Sequence, residues 1–352
     1  MRAITLQPGV KDSAALEEVP EPPVEDGALL VDGVALGICG TDAEIVHGDY
    51  GAAPPGAERL VLGHESLGRV AEAPDGSGFA PGDLVVGIVR RPDPVPCASC
   101  AAGEWDFCRN GGFTERGIKG LHGYGSERWR IEPEFAVKLD PGLGALGVLM
   151  EPTTVVAKAW EQIDRLLTRA TIGAEHVLVT GAGPIGLLAA LLARSRGFEL
   201  TVLDRATDGP KPELVRDLGG RYHAGGVEEI DPPPDIIVEA TGASQVLLDA
   251  MTHTASNGIV CLTGISSSGR DISLDAADLN RRIVLENDLV FGSVNANRRH
   301  YEAAVQALTQ ADPAWLDDMI TRTTDVPSFA EALEERDDDI KSVLLFDPPP
   351  GA

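Results

Sequence analysis

From residue 176 the chain alternates short apolar runs with amphipathic stretches. The segments "HVLVT" (176–180), "ELTVLD" (199–204), "DIIVEA" (235–240), "GIVCLTG" (258–264) and "LVFGSVN" (289–295) are continuously apolar over strand length. Such runs predict strands buried on both faces. Between them, "PIGLLAALLARSR" (184–196) and "KPELVRDLG" (211–219) repeat apolar positions at helical spacing. Strands alternating with helices predict a doubly wound parallel sheet. Residues 1–150 differ. "ALLVDGVALGICG" (28–40) and "LGHESLGRVAEAPDGSGFAPGDLVVGIV" (62–89) interleave apolar stretches with Gly, Pro and Asp, the pattern of a β-barrel-like domain. "MEPTTVVAKAWEQIDRLL" (150–167) reads as the helix where the texture changes, and "RRHYEAAVQALTQ" (298–310) as a helix after the sheet. Residues 207–212 and 231–234 read as turns, and the chain closes on an acidic region ending in "IKSVLLFDPPPGA".

Length fits two domains, since 352 residues exceed one ordinary core. The longest apolar run, "IGLLAALLA" (185–193), is too short to cross a bilayer. The opening "MRAITLQPGV" reads as strand and turn rather than an export signal, so a cytoplasmic protein is expected. Five cysteines, three of them clustered, favour a reducing compartment and a metal over disulfides. A net charge of −26 excludes nucleic acid and anionic membrane as partners by repulsion. The charge fits either a solvated acidic surface or adaptation to high salt, where counterions screen self-repulsion. The second explanation predicts a melting midpoint that rises from low to multimolar KCl; an unchanged midpoint contradicts it.

"VLVTGAGPIG" (177–186) sets G-x-G-x-x-G between a predicted strand and a predicted helix. Gly181 makes the tight turn, Gly183 admits a pyrophosphate, and Gly186 allows close helix–strand packing. Asp204 ends the next strand, where a carboxylate accepts adenosine ribose hydroxyls and repels a 2′-phosphate. NAD is therefore favoured, although Arg205 leaves NADP open.

Three stretches of the first domain carry metal-binding residue types: Cys39 in "GICGTD", His64 and Glu65 in "LGHES", and Glu151 in "LMEPTT". Each has a plain structural explanation alone, as a core thiol, a core histidine or a helix-start carboxylate. Beside a dinucleotide fold, their combination fits a catalytic zinc with three protein ligands and one open position.

The order of these motifs resembles the zinc-dependent medium-chain dehydrogenases. "CGTDAEI" (39–45), "VRRP" (89–92), "FTERGIKGLHGYGSE" (113–127) and "FGSVNANRRHYEAA" (291–304) resemble their archaeal-type glucose dehydrogenase branch. The resemblance implies a GroES-like, β-rich catalytic domain over 1–154 and 296–352, and a Rossmann domain over 155–295. It implies Cys39 and His64 as zinc ligands, with Glu65 and Glu151 ligating directly or through water. Asp42 would orient His64, and Thr41 would hydrogen-bond the reacting hydroxyl. Glu44 stands where related alcohol dehydrogenases carry a relay histidine, and the nearby His47 reads as an exposed loop residue. Pro184, Ile185, Thr241 and Asn295 join the glycines, Asp204 and Arg205 as cofactor residues. Thr41, Glu115, Glu151 and Asn295 would meet a sugar. The expected activity is oxidation of a glucose-like aldose at C1 to a lactone. A polyol or cyclitol dehydrogenase is the alternative, and a non-enzymatic dinucleotide-binding protein a more distant one. A homodimer or homotetramer is implied.

Cys97, Cys100 and Cys108 match the last three positions of the family's structural-zinc pattern, C-x2-C-x2-C-x7-C. The first position falls on Pro94, and Asp93 beside it offers an oxygen ligand instead. A bound zinc is favoured over a disulfide or a metal-free lobe.

Overall fold

The computed structural model describes residues 1–171, 173–266, 272–334, 336 and 338–346. It separates into two units, residues 1–154 with 295–352, and residues 155–294.

The first unit is built on a seven-stranded sheet. Its path runs Ala136–Lys138, Leu84–Gly87, Glu65–Glu72, Leu29–Ile38, Ser342–Leu345 and Arg322–Asp325, and Arg128–Ile131 also pairs with Leu29–Ile38. The ten-residue strand Leu29–Ile38 is buried almost throughout, as its apolar run predicts. Ile4, Leu6, Leu36, Leu62, Val85, Trp129 and Leu344 belong to the core on this sheet.

Register places the chemistry. Ser342 pairs with Ile38, and Glu65 pairs with Gly37. The end of the strand Leu29–Ile38 therefore meets the start of Glu65–Glu72 on one side and the start of Ser342–Leu345 on the other. Cys39, His64, Glu65 and Lys341 gather there. A Cβ on Gly37 would stand 2.0 Å from Glu65 Oε2 and 2.9 Å from Lys341 Cε, so only glycine leaves room for that pair. The strand Ser342–Leu345, inside the acidic C-terminal region, occupies the interior of this sheet.

The second unit holds a six-stranded parallel sheet in the order Arg221–His223, Glu199–Leu203, His176–Thr180, Ile236–Glu239, Ile259–Leu262, Leu289–Gly292. Chain order reverses at His176–Thr180, the switch point of a doubly wound sheet. The helices Ser244–Thr252 and Ala276–Glu286 and the short strand Arg221–His223 escaped the sequence pattern. The strand is only three residues long, and none of the residues of the helix Ala276–Glu286 is buried. The turn expected over 207–212 gives way to the helix Pro210–Asp217, which starts with Pro at its first position. Cys261 is fully buried in Ile259–Leu262, and burial pushes its thiol up to about 12. Among the described residues, no helix is long and apolar enough to cross a membrane.

Candidate active site

Cys39 caps the helix Gly40–His47, whose first turn carries Thr41 and Asp42. Asp42 is fully buried, and its Oδ2 accepts the Cys39 N–H at 3.0 Å. Its Oδ1 lies 3.4 Å from His64 Nδ1, while His64 Nε2 lies 3.2 Å from Cys39 Sγ. Burial opposes a charge on His64, but the Cys39 sulfur and the Asp42 carboxylate beside it outweigh that and hold the imidazole pKa well above its usual value. Burial raises the Cys39 thiol against the pull of His64. Ligand atoms of Cys39, His64 and Glu65 all lie within 4.8 Å of one another. A thiolate, an imidazole and a carboxylate are donors that zinc accepts, and three of them suit a catalytic site. The residues fit the ion.

Glu151 stands outside that group of three. It lies in the first turn of the helix Met150–Leu167, and burial, with Glu65 adding to it, pushes its carboxyl up to about 7 despite the opposing pull of His64. Thr41 is half-buried, and Glu44 and His47 are exposed. Lys341 was missed by sequence reading. It is fully buried, pairs with Glu65 Oε2, and donates to the Ile38 carbonyl at 2.8 Å. Burial disfavours its charge, but Glu65 wins and raises its pKa. Nothing in "IKSVLL" marks this lysine as internal, because only the strand pairing carries it there.

A second cluster surrounds Glu115, which is 5% exposed. Its Oε1 accepts from Arg90 Nε at 3.0 Å, Arg90 Nη2 at 2.9 Å and Asn295 Nδ2 at 2.7 Å. Glu115 and Asn295 were expected near a substrate; Arg90 was not singled out.

The glycine motif is set as expected between the strand His176–Thr180 and the helix Pro184–Ser195. Gly181 has φ +91°, and a Cβ on Gly186 would stand 1.8 Å from the Gly181 carbonyl oxygen. Gly183 caps the helix, Pro184 begins it, and Ile185 is half-buried behind them. Asp204 spans the first turn: Oδ2 accepts from Ala182 N–H at 2.7 Å and Oδ1 from Ala206 N–H at 3.0 Å. Arg205 is exposed. Thr241 N–H donates to Glu239 Oε1 at 2.7 Å. Glu239 is fully buried, and the same oxygen accepts from Gly242 N–H at 3.1 Å and Thr180 Oγ1 at 3.3 Å. This carboxylate ties two strand ends together, a role no sequence signal revealed.

The sulfurs of Cys97, Cys100 and Cys108 also lie within 4.8 Å of one another, and all five cysteines are free thiols. Cys97 and Cys100 sulfurs are 3.7 Å apart, and Arg109 N–H donates to Cys97 Sγ at 3.4 Å. Backbone N–H groups, that of Arg109 first, pull the Cys97 thiol down to about 6. Asp93, the expected fourth ligand, stands outside this group of three sulfurs. Its Oδ1 accepts the Val95 N–H at 2.8 Å, and its carboxylate lies against Gly112, where an added Cβ would be 2.5 Å from Oδ2.

The family model of the glucose dehydrogenase C-terminus matches residues 144–346, and that of the alcohol dehydrogenase GroES-like domain matches 25–141. The chain belongs to the glucose dehydrogenase branch of the zinc-dependent medium-chain dehydrogenases. Its relatives in this branch include the glucose 1-dehydrogenase of Methanocella arvoryzae, 39% identical over 98% of this chain and 99% of that one. The glucose 1-dehydrogenase of Halobacterium salinarum is 35% identical over 94% and 96%. Among solved structures, Haloferax mediterranei glucose dehydrogenase in complex with NADP, Zn and gluconolactone superposes with a TM-score of 0.91, at 31% identity over 99% of this chain and 100% of that one. Galactitol-1-phosphate dehydrogenase from Escherichia coli, 21% identical with a TM-score of 0.80, shares the fold. The GroES-like and Rossmann architecture read from the sequence is that of these dehydrogenases.

Proposed function

We propose that this dehydrogenase oxidises a glucose-like aldose at C1 to the lactone, with hydride transfer to NAD or NADP. One observation carries the reading: a three-donor cluster of Cys39, His64 and Glu65 in a chain that matches glucose 1-dehydrogenases over nearly its whole length. Cys39, His64 and Glu65 would hold the catalytic zinc, with Glu151 as a further carboxylate. Bound there, zinc supplies a Lewis acid that lowers the pKa of a sugar hydroxyl. Asp42 holds the His64 ring by its Nδ1 side and fixes which nitrogen faces the metal. Thr41 Oγ1 would accept the sugar hydroxyl's hydrogen bond and, as it takes that proton, give its own hydroxyl proton to water. The nicotinamide ring supplies the hydride acceptor. Glu115 accepts hydrogen bonds from sugar hydroxyls, and Asn295 orients the sugar beside it.

In the cofactor unit, Gly181, Gly183 and Gly186 make room for the pyrophosphate. Pro184, Ile185 and Thr241 flank it, and Arg205 offers a surface to adenine. Asp204, fixed by two backbone N–H groups at the end of its strand, would disfavour a cofactor 2′-phosphate. NAD is therefore expected to exceed NADP in kcat/KM by about tenfold, near 1.4 kcal/mol. Steady-state rates with both cofactors check this, and a clear NADP preference contradicts the reading of Asp204.

Cys97, Cys100 and Cys108 would hold a second, structural zinc through three thiolates. The chain would work in a reducing cytoplasm, which its five free thiols support. It would assemble as a homodimer or homotetramer, and the apolar Val284 and Leu285, 63% and 65% exposed on the helix Ala276–Glu286, support an association surface. The test of the activity is a panel of glucose, galactose, xylose, sorbitol and inositols. Turnover of glucose-like aldoses is expected, and faster turnover of a polyol or cyclitol would overturn the substrate assignment.

A further inference from the structure

Glu115 is bound on one side only. Arg90 and Glu115 face each other across the antiparallel pair Arg90–Arg91 and Thr114–Arg116. An arginine usually grips a carboxylate with two parallel hydrogen bonds, one to each oxygen. Here Nε and Nη2 both converge on Oε1, and Asn295 Nδ2 joins them. Among the described residues, no donor reaches Oε2. Three charge-assisted or polar bonds thus converge on one oxygen, and the other keeps its capacity to accept.

Arg90 is itself fixed. It is 8% exposed, and its guanidinium lies 3.8 Å above the centre of the Phe113 ring. Its Nη1 donates to the Asp106 carbonyl at 3.3 Å. Asp106 Oδ1 accepts from Asn297 Nδ2 at 2.7 Å, two residues from Asn295. A ring of contacts therefore runs from Arg90 through Glu115, Asn295, Asn297 and Asp106 back to Arg90. Asn295 sits at φ +61°, a left-handed conformation that asparagine tolerates better than other non-glycine residues. A ring with this many fixed members is more than a single buried ion pair requires.

We propose that Arg90 is a positioning residue for the sugar: by holding Glu115 through Oε1 it reserves Oε2 for one substrate hydroxyl and so sets specificity. The proposal rests on the reading that Glu115 contacts the substrate. Lysine in place of Arg90 keeps the charge but not the two convergent N–H groups and the flat face over Phe113. Glu115 would then rotate, and both of its oxygens would compete for the same cation.

The test compares Arg90→Lys, Glu115→Gln and the double variant with wild type, measuring kcat, glucose KM, cofactor KM and thermal midpoint. A series of monodeoxy-glucoses is measured alongside. Arg90→Lys is expected to raise glucose KM by about tenfold or more, with kcat within about threefold and cofactor KM unchanged, the scale of one charge-assisted hydrogen bond. The deoxy sugar that wild type rejects most strongly should lose its penalty in Arg90→Lys. The double variant should be no worse than Glu115→Gln by more than about twofold, because coupled residues do not add. Phe113→Leu, which loosens Arg90 without removing it, decides the matter if Arg90→Lys fails to fold; a rise in glucose KM of about threefold, the scale of a lost cation–π contact, is expected of it. An unchanged glucose KM in Arg90→Lys or Phe113→Leu, with a raised KM in Glu115→Gln, overturns the role of Arg90 and leaves Glu115 in the site. An unchanged KM in Glu115→Gln as well overturns both. A loss confined to kcat or to cofactor KM also overturns it.

Discussion

Replacing Cys39 with serine should all but abolish sugar-dependent reduction of the nicotinamide cofactor. The sulfur is one corner of a three-donor cluster, 3.2 Å from His64 Nε2. A serine hydroxyl is a poor zinc donor near neutral pH, so two protein ligands would remain where a catalytic site needs three. Altering a residue that only orients a ligand costs roughly 10–100-fold in affinity or activity. Loss of the ligand itself should exceed that, on the order of 10³-fold in kcat/KM. Asp42→Asn should fall within the smaller range, because it removes only the charge that faces His64 Nδ1. Steady-state assays with zinc analysis of the purified variants check both values. A Cys39→Ser enzyme that keeps its zinc and its rate would remove Cys39 from the site.

The second large effect concerns stability. Lys341 and Glu65 are 0% and 2% exposed and form an ion pair across the end of the strand Leu29–Ile38, which separates their own strands. Breaking a buried pair by removing one partner leaves an uncompensated charge and costs about 3–5 kcal/mol. Lys341→Met should therefore lower the unfolding free energy by about that amount. It should also weaken zinc retention, since Glu65 would no longer be held by its Oε2. Chemical denaturation with and without added zinc measures both effects. A loss below about 1 kcal/mol, the level of an exposed ion pair, would show that Lys341 does not hold Glu65 in solution. The lysine also donates to the Ile38 carbonyl, and methionine leaves that acceptor without its partner, adding to the loss.

The contrast between the two sites shows what the sequence made readable. The cofactor unit announced itself because its strands are continuous apolar runs and its glycines have spacing with a geometric meaning. Gly186 is the clearest case: a Cβ there would stand 1.8 Å from a backbone oxygen. The zinc cluster was legible as residue types, and the pairing of Glu65 with Gly37 explains how ligands 25 positions apart meet. Lys341 and Arg90 were hidden because their meaning depends on non-local strand pairing, Ser342 with Ile38 and Arg90 with Glu115. No local period marks a charged residue that sheet topology will bury. Glu239 was hidden for a similar reason: it ends an apolar strand, where a carboxylate reads as the start of a loop. At the lobe of Cys97 the three sulfurs stand together, as their spacing suggests. Asp93, suggested beside them by its place in the sequence, turns one carboxylate oxygen onto the Val95 N–H. Short polar side chains often satisfy their own backbone before they reach a distant partner.

The most direct test is removal and return of metal in a single preparation, with the product identified. The purified chain is assayed with glucose and NAD or NADP, stripped with a chelator, and then titrated with zinc. Reduced cofactor should form together with gluconolactone, vanish on chelation, and return as zinc refills the Cys39 site. Undiminished glucose oxidation by a chain shown to be free of metal would contradict the zinc assignment. Absence of lactone from the fully zinc-loaded chain would contradict the sugar assignment.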